Sequence, residues 1–187
     1  MACAGEVIED PITKQRATFL KTARDTGGES LLFEDHIGPY GFVNGKTSHV
    51  HPIQTERIEV TSGTLRFKVK GRQRNLRAGE SVSVPPGVRH AWWNERDEDA
   101  RVLVELRPAL DTESAFEMGF GLCRDGKTND KGFPNFWQSV LLLDEFLGEV
   151  CMPWIPLRVQ KAITSALAPI GRGRGYRARI PEYGGSQ

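Results

Sequence analysis

Four residues of types that bind metal ions or carry protons stand close in sequence: His49, His51, Glu56 and His90. Three of the four histidines therefore fall within 42 residues, with a carboxylate among them. His49 and His51 are two apart, so an extended strand presents both imidazoles on one face, where two metal ligands can converge. Glu56 stands at an odd offset from His51, and an unbroken strand would send it to the other face. Pro52-Ile53-Gln54-Thr55 supplies the break, because proline enters sheets at edges, ends and bulges. Beyond it Glu56 shares its face with Ile58 and Val60, and His90 faces inward with Trp92. A carboxylate on an apolar face is costly unless it is paired or bound to a metal. On residue types alone, hydrogen-bonded core histidines and an arginine-paired glutamate stand beside the metal reading. His36, next to Gly38-Pro39, reads as a solvated turn residue.

The elements that must hold these residues are short strands. Leu65, Phe67 and Val69 alternate with Arg66, Lys68 and Lys70, and Val102, Val104 and Leu106 alternate with Arg101, Leu103 and Glu105. Val82 and Val84 continue the pattern. Turns at Ser62-Gly63, Gly71 and Pro85-Pro86-Gly87 separate these runs, which together predict a sandwich or barrel. The inward residues, from Ile58 and Val60 through Val82 and Val84 to Val102 and Val104, are expected with Trp92 to wall an open apolar pocket above the site. After Arg107-Pro108 the period becomes helical, first through Val140, Leu141, Phe146 and Val150, then through Val159, Ile163, Ala166 and Ile170. The expected organisation is an N-terminal arm contributing to the barrel over 1–29, the barrel over 30–108, a helical extension over 109–170 and an Arg/Gly-rich tail over 171–187. The tail reads as a flexible solvated end. The helices carry too many apolar residues to stay exposed, so they should pack on the barrel, on a second copy or on a membrane surface.

Two stretches, His49-x-His51-x4-Glu56-x6-Gly63 and Gly79-x5-Pro85-x-Gly87-x2-His90-x3-Asn94, are separated by 15 residues and resemble the two signature motifs of the cupin superfamily. The resemblance covers roughly residues 30 to 108. Upstream the chain departs from the family, with Val43 where a glycine is usual and Gly41 and Gly45 on either side. The resemblance implies a mainly β fold, the cupin-type double-stranded β-helix or jelly-roll barrel, here followed by C-terminal α-helices. It also implies that His49, His51, Glu56 and His90 hold one divalent transition metal, which this N and O donor set allows to be Fe, Mn, Ni, Zn, Co or Cu. An octahedral ion would keep about two positions open for small ligands. The implied function is a metal-dependent enzyme acting on a small organic molecule, in the first place an O2-using oxygenase. A metal-dependent isomerase, epimerase or lyase and a non-catalytic small-ligand-binding cupin are the alternatives. Glu56 is the one ligand that could also accept a proton, because the imidazoles are committed as neutral donors. No other inward ionisable residue stands out in the alternation.

Composition narrows the partners. At 187 residues, 39% hydrophobic and 26% charged, the chain is sized for one substantial core. Lys and Arg number 25 against 24 Asp and Glu, so no overall field draws it to nucleic acid or to an anionic membrane. Cys3, Cys123 and Cys151 are scattered and form no metal-knuckle or disulfide pattern. An acidic start and the lack of an apolar run of about 18 residues predict a cytoplasmic protein without an integral membrane segment. A homodimer is expected, as small cupins commonly form one.

Overall fold

The alternation in the sequence becomes two antiparallel sheets in the computed structural model, which describes residues 2–184. Met1 and residues 185–187, the end of the expected tail, lie outside the described residues. The strands are β1 (Val7–Asp10), β2 (Gln15–Lys21), β3 (Leu31–Ile37), β4 (Thr55–Ser62), β5 (Thr64–Val69), β6 (Arg72–Arg77), β7 (Ser81–Val84), β8 (His90–Trp93) and β9 (Ala100–Arg107). A six-stranded sheet runs β1-β2-β3-β9-β4-β7, and a three-stranded sheet runs β6-β5-β8. The N-terminal arm thus extends the larger sheet at one edge. His36 lies within β3, not in a turn, and its Nε2 stands 2.9 Å from Asp99.

Register brings the inward residues together. Ile58 faces Val82 on one side and Val104 on the other, Val104 also faces Phe33, and Phe67 faces Trp92 across the smaller sheet. These residues form one continuous core from both sheets. Each such side chain contributes about 1.5–3 kcal/mol on full burial. Gly63 turns β4 into β5 with φ of +76°, and a Cβ there would approach Asp99 O to 2.5 Å. Only glycine tolerates both demands.

Three helices follow: α1 (Thr112–Arg124), α2 (Phe136–Glu145) and α3 (Leu157–Gly173). The first was not among the helices read from periodicity. It docks through polar bonds: Glu113 accepts from Ala23 N at 3.0 Å, and Gln54 Nε2 donates to Pro108 O, Ala109 O and Thr112 Oγ1. The proline break before Glu56 is therefore also the anchor of α1. No helix among the described residues is long and apolar enough to cross a membrane.

The described part of the tail is docked, which corrects the expectation of a free end. Arg172 pairs with Asp144 at 3.0 Å, and Arg179 pairs with Glu145 at 2.6 Å and with Asp111. Tyr183 is buried, donates to Asp125 at 2.5 Å and lies where a side chain on Gly121 of α1 would sit. Gly121→Ala should therefore cost about 1–3 kcal/mol by overpacking. With Tyr183→Ala as background the same change should turn neutral or stabilising by up to about 1 kcal/mol, since only helix propensity remains. Thermal unfolding of the four proteins checks this reversal of sign.

Candidate metal centre

His49 and His90 are locked to each other by their backbones, His49 N donating to His90 O at 2.9 Å and His90 N to His49 O at 3.1 Å. This isolated bridge, rather than a regular strand, holds the first histidine. His51 is fixed twice. Its carbonyl accepts from Gly87 N, in the Pro85-Pro86-Gly87 turn, at 2.9 Å. Its Nδ1 lies 2.5 Å from Glu149 O. A carbonyl only accepts, so Nδ1 carries the hydrogen and Nε2 is left with its lone pair. His90 is held likewise, Nδ1 standing 2.9 Å from Val88 O. Glu56 enters from β4, the break at Pro52 having turned it inward.

The four side chains converge. One donor atom from each lies within 4.8 Å of the others, and all four residues are buried. His90 Nε2 stands 2.7 Å from Glu56 Oε2, and His51 Nε2 stands 3.9 Å from it. Glu56 and His90 thus hold each other, whereas His49 Nδ1 and His51 Nε2 are buried without a hydrogen-bond partner. Lone pairs aimed at one point, away from water, are costly unless a cation sits among them.

Protonation fits that need. Burial pushes the Glu56 carboxyl up, but the adjacent His90, with His51 and His49, overcomes this and brings it down to about 2. It is a carboxylate at neutral pH. Burial and repulsion from His90 and His51 hold His49 well below its ordinary value. Burial lowers His51 too, against the pull of Glu56. His90 moves the other way, burial being outweighed by Glu56. Two neutral imidazoles, a carboxylate and a third imidazole held by that carboxylate fit a divalent transition ion, which would replace the proton of His90.

Beside the cluster is a cavity of about 180 Å³. Its walls correct the sequence reading. Ile58, Val60, Leu65, Phe67, Val84, Val102 and Val104 are at most 2% exposed and fill the core, and of the expected wall only Trp92 borders the space. The apolar wall comes instead from Phe116 and Phe120 of α1, with Leu106, Phe133 and Val43, the residue standing where the family usually has glycine. Ionisable residues also reach the cavity, contrary to expectation. Asp10 lines it while accepting from Ile12 N and Thr13 N, and Glu149 lines it while accepting from Asp111 N at 3.3 Å. No spacing rule could have announced Glu149, whose carbonyl reaches His51 across 98 residues. Phe116 and Phe120, four apart, did carry a helical signal.

A barrel of two antiparallel sheets with a buried three-histidine, one-glutamate cluster defines a class, and the comparisons agree with it. Residues 36–105 match the family model of the cupin domain, so the chain carries a cupin domain, which a C-terminal helical extension follows. It is similar to polyketide synthase CurC of Streptomyces cyaneus, 34% identical over 62 residues, 33% of this chain and 40% of that one. It is also similar to protein SchB of Streptomyces halstedii, 32% identical over 62 residues, 33% of this chain and 45% of that one. Each match thus spans less than half of the relative's length. Among solved structures, KdgF from Halomonas sp. aligns with a TM-score of 0.49 at 15% identity, over 57% of this chain and 89% of that one. An RmlC-like cupin from Shewanella frigidimarina aligns with a TM-score of 0.46 at 20% identity, over 58% and 88%.

Proposed function

We propose that this protein is a mononuclear metal-dependent enzyme acting on a small organic molecule, that its chemistry uses O2, and that it works as a homodimer. The observation that carries the enzymatic reading is the convergence of His49, His51, Glu56 and His90 beside a cavity walled by aromatic and aliphatic side chains. A divalent ion held there supplies a Lewis acid or one-electron partner with positions left for substrate. The chain's own groups do the rest. Phe116, Phe120 and Val43 give the cavity an apolar wall that favours aromatic or enol-rich molecules over free sugars. Glu56, ionised and buried, is the ligand able to take a proton from an acidic C–H or O–H. Similarity to a polyketide synthase component makes polyketide-like 1,3-dicarbonyls the first substrates to try, because they are acidic and present two oxygens side by side.

The test loads the protein with Fe(II), offers diketone, enol and catechol-like compounds, and follows O2 uptake together with product. The expected result is coupled uptake and turnover. Glu56→Gln should retain part of the metal yet lose at least about 100-fold in turnover, the upper range for a single acid–base group being about 10⁴-fold. Turnover unchanged without O2 rejects the oxygenase and favours an isomerase, epimerase or lyase. Full metal occupancy with tight, saturable binding and no turnover favours a non-catalytic ligand-binding protein.

A further inference from the structure

The cavity beside the four ligands has a second polar end, which the metal-binding cluster does not use. Asp10, Thr13 and Gln15 line it, each at most 5% exposed. Asp10 ends β1 and Gln15 begins β2, paired across the turn that holds Thr13, and the strand alternation turns both side chains inward. The backbone sets this turn apart from the ligands. His90 and Trp92 share the inward face of β8, Trp93 bridges to Phe42, and Phe42 N donates to Thr13 O at 2.9 Å. Along β8 from His90 the chain thus presents Trp92 and then the turn.

The atoms left free at this end are acceptors. Asp10 Oδ1 takes the N–H groups of Ile12 and Thr13 at 2.9 and 3.0 Å. Among the described residues no N–H or O–H reaches Oδ2, yet it is not one of the partnerless polar atoms sealed in the interior, so it opens on accessible space. The Cys123 thiol is close enough to feel the carboxylate, but a thiol is a weak donor. The Thr13 hydroxyl donates to Gln15 Oε1 at 3.0 Å, and Gln15 Nε2 donates to Asp35 Oδ2 at 2.6 Å. Thr13 Oγ1 therefore has only lone pairs left to offer. Acceptors held this far from bulk water are costly to leave unserved.

We propose that Asp10 and Thr13 accept a hydrogen bond from a hydroxyl of the substrate, at the end remote from the oxygens that meet the metal. The cavity then selects elongated molecules with an apolar middle, lying against Phe116 and Phe120, and a hydroxylated far end. A neutral hydroxyl suits this end better than an ammonium group, because Lys131, exposed and without an ion pair among the described residues, lines the same cavity. This inference rests on the reading of the site as one for a small organic molecule and names what that molecule must carry.

The test is calorimetric titration of the full chain loaded with Zn(II), which binds ligands without redox turnover. The probes are 1-aryl-1,3-butanediones of two lengths, phenyl and naphthyl, each bearing hydroxyl, hydrogen or methoxy at the ring position farthest from the diketone. In the wild type the hydroxyl form of at least one length should bind about 10- to 100-fold more tightly than its hydrogen and methoxy forms, the range for a hydrogen bond to a charged group. Asp10→Asn keeps Oδ1 for the turn and puts an amide donor in place of Oδ2, which serves methoxy as well as hydroxyl. The hydroxyl-over-methoxy ratio should then fall at least about 10-fold, while bound zinc and the circular dichroism spectrum stay as in the wild type. The wild-type ranking needs no variant and decides by itself if Asp10→Asn fails to fold. Diketones that bind only when zinc is present but show no preference for hydroxyl, or a ratio unmoved in Asp10→Asn, keep the small-molecule site and overturn the polar end. Diketones that bind the zinc-loaded and zinc-free protein alike, or neither, overturn the reading of the site and this inference with it.

Discussion

His51→Ala and His90→Ala should each reduce bound metal from close to one ion per chain to below about a tenth after dialysis, with the barrel still folded. Loss of a group that merely orients a ligand weakens metal affinity about 10–100-fold, so loss of a ligand itself should exceed that. The barrel does not depend on the site in the same way. Its apolar core runs from Phe19 and Phe33 through Ile58 and Val104 to Phe67, and of the two histidines only His90 stacks on it, against Phe67. His90 is fully buried, so its truncation also leaves a space, and a loss of about 2–4 kcal/mol is expected from that alone. The two effects separate when melts are recorded with and without chelator. Metal at 1,000 times its dissociation constant stabilises the wild type by about 4 kcal/mol, and the variants should lack that increment. Only trace metal in the wild type after reconstitution with Fe, Mn, Ni, Zn and Cu would sink the site. Wild-type affinity in His49→Ala/His51→Ala would sink it equally.

The convergence of His49, His51, Glu56 and His90 was legible because its constraints are local. Two-residue spacing, a proline break and a Pro-Pro-Gly turn act within a few residues, and the alternation that buries Glu56, Ile58 and Val60 has a fixed period of two. The cavity wall was not legible, for a reason of volume. A small barrel is filled by its own side chains, so inward residues such as Val60, Phe67 and Val102 close the interior instead of lining a space. Room remains only where α1 lies across the barrel. That helix was itself hidden: its inner positions include Glu113, Ser114, Glu117 and Gly121, which dilute the apolar period, while Ala23 and Gln54, which anchor it, are distant in sequence. For α3 the period was correct, and of the destinations expected for its apolar stripe the chain's own barrel is not the one it meets. Its apolar stripe looks outward because Gln160 and Gly171 make the contact with the rest of the chain.

Asp35→Asn should stabilise the protein progressively as pH rises from about 4 to about 7, reaching about 4 kcal/mol relative to its effect at pH 4. Asp35 points from β3 into the core, 1% exposed, with Ala17 and Val102 across from it. Oδ2 accepts from Gln15 Nε2 at 2.6 Å, while Oδ1 has no partner. Burial raises its carboxyl to about 7, the Gln15 bond resisting and the charge of Asp10 assisting. Between its unfolded value of 3.8 and that figure, the native state keeps a proton that the unfolded chain releases. Rising pH therefore favours unfolding at about 1.4 kcal/mol per pH unit, and the loss is complete above about pH 7. Asparagine has no proton to lose and can still accept from Gln15. Its buried amide adds an offset that does not vary with pH, so the slope is the observable. Glu56 acts in the opposite direction below its unfolded value of 4.5, its depressed carboxyl losing stability as pH falls, and it does so equally in both proteins. Urea unfolding of wild type and variant at pH 4, 5.5, 7 and 8 would give a difference that climbs and then levels off. A difference constant across that range would mean that Asp35 is already ionised in the native core, with a partner for Oδ1.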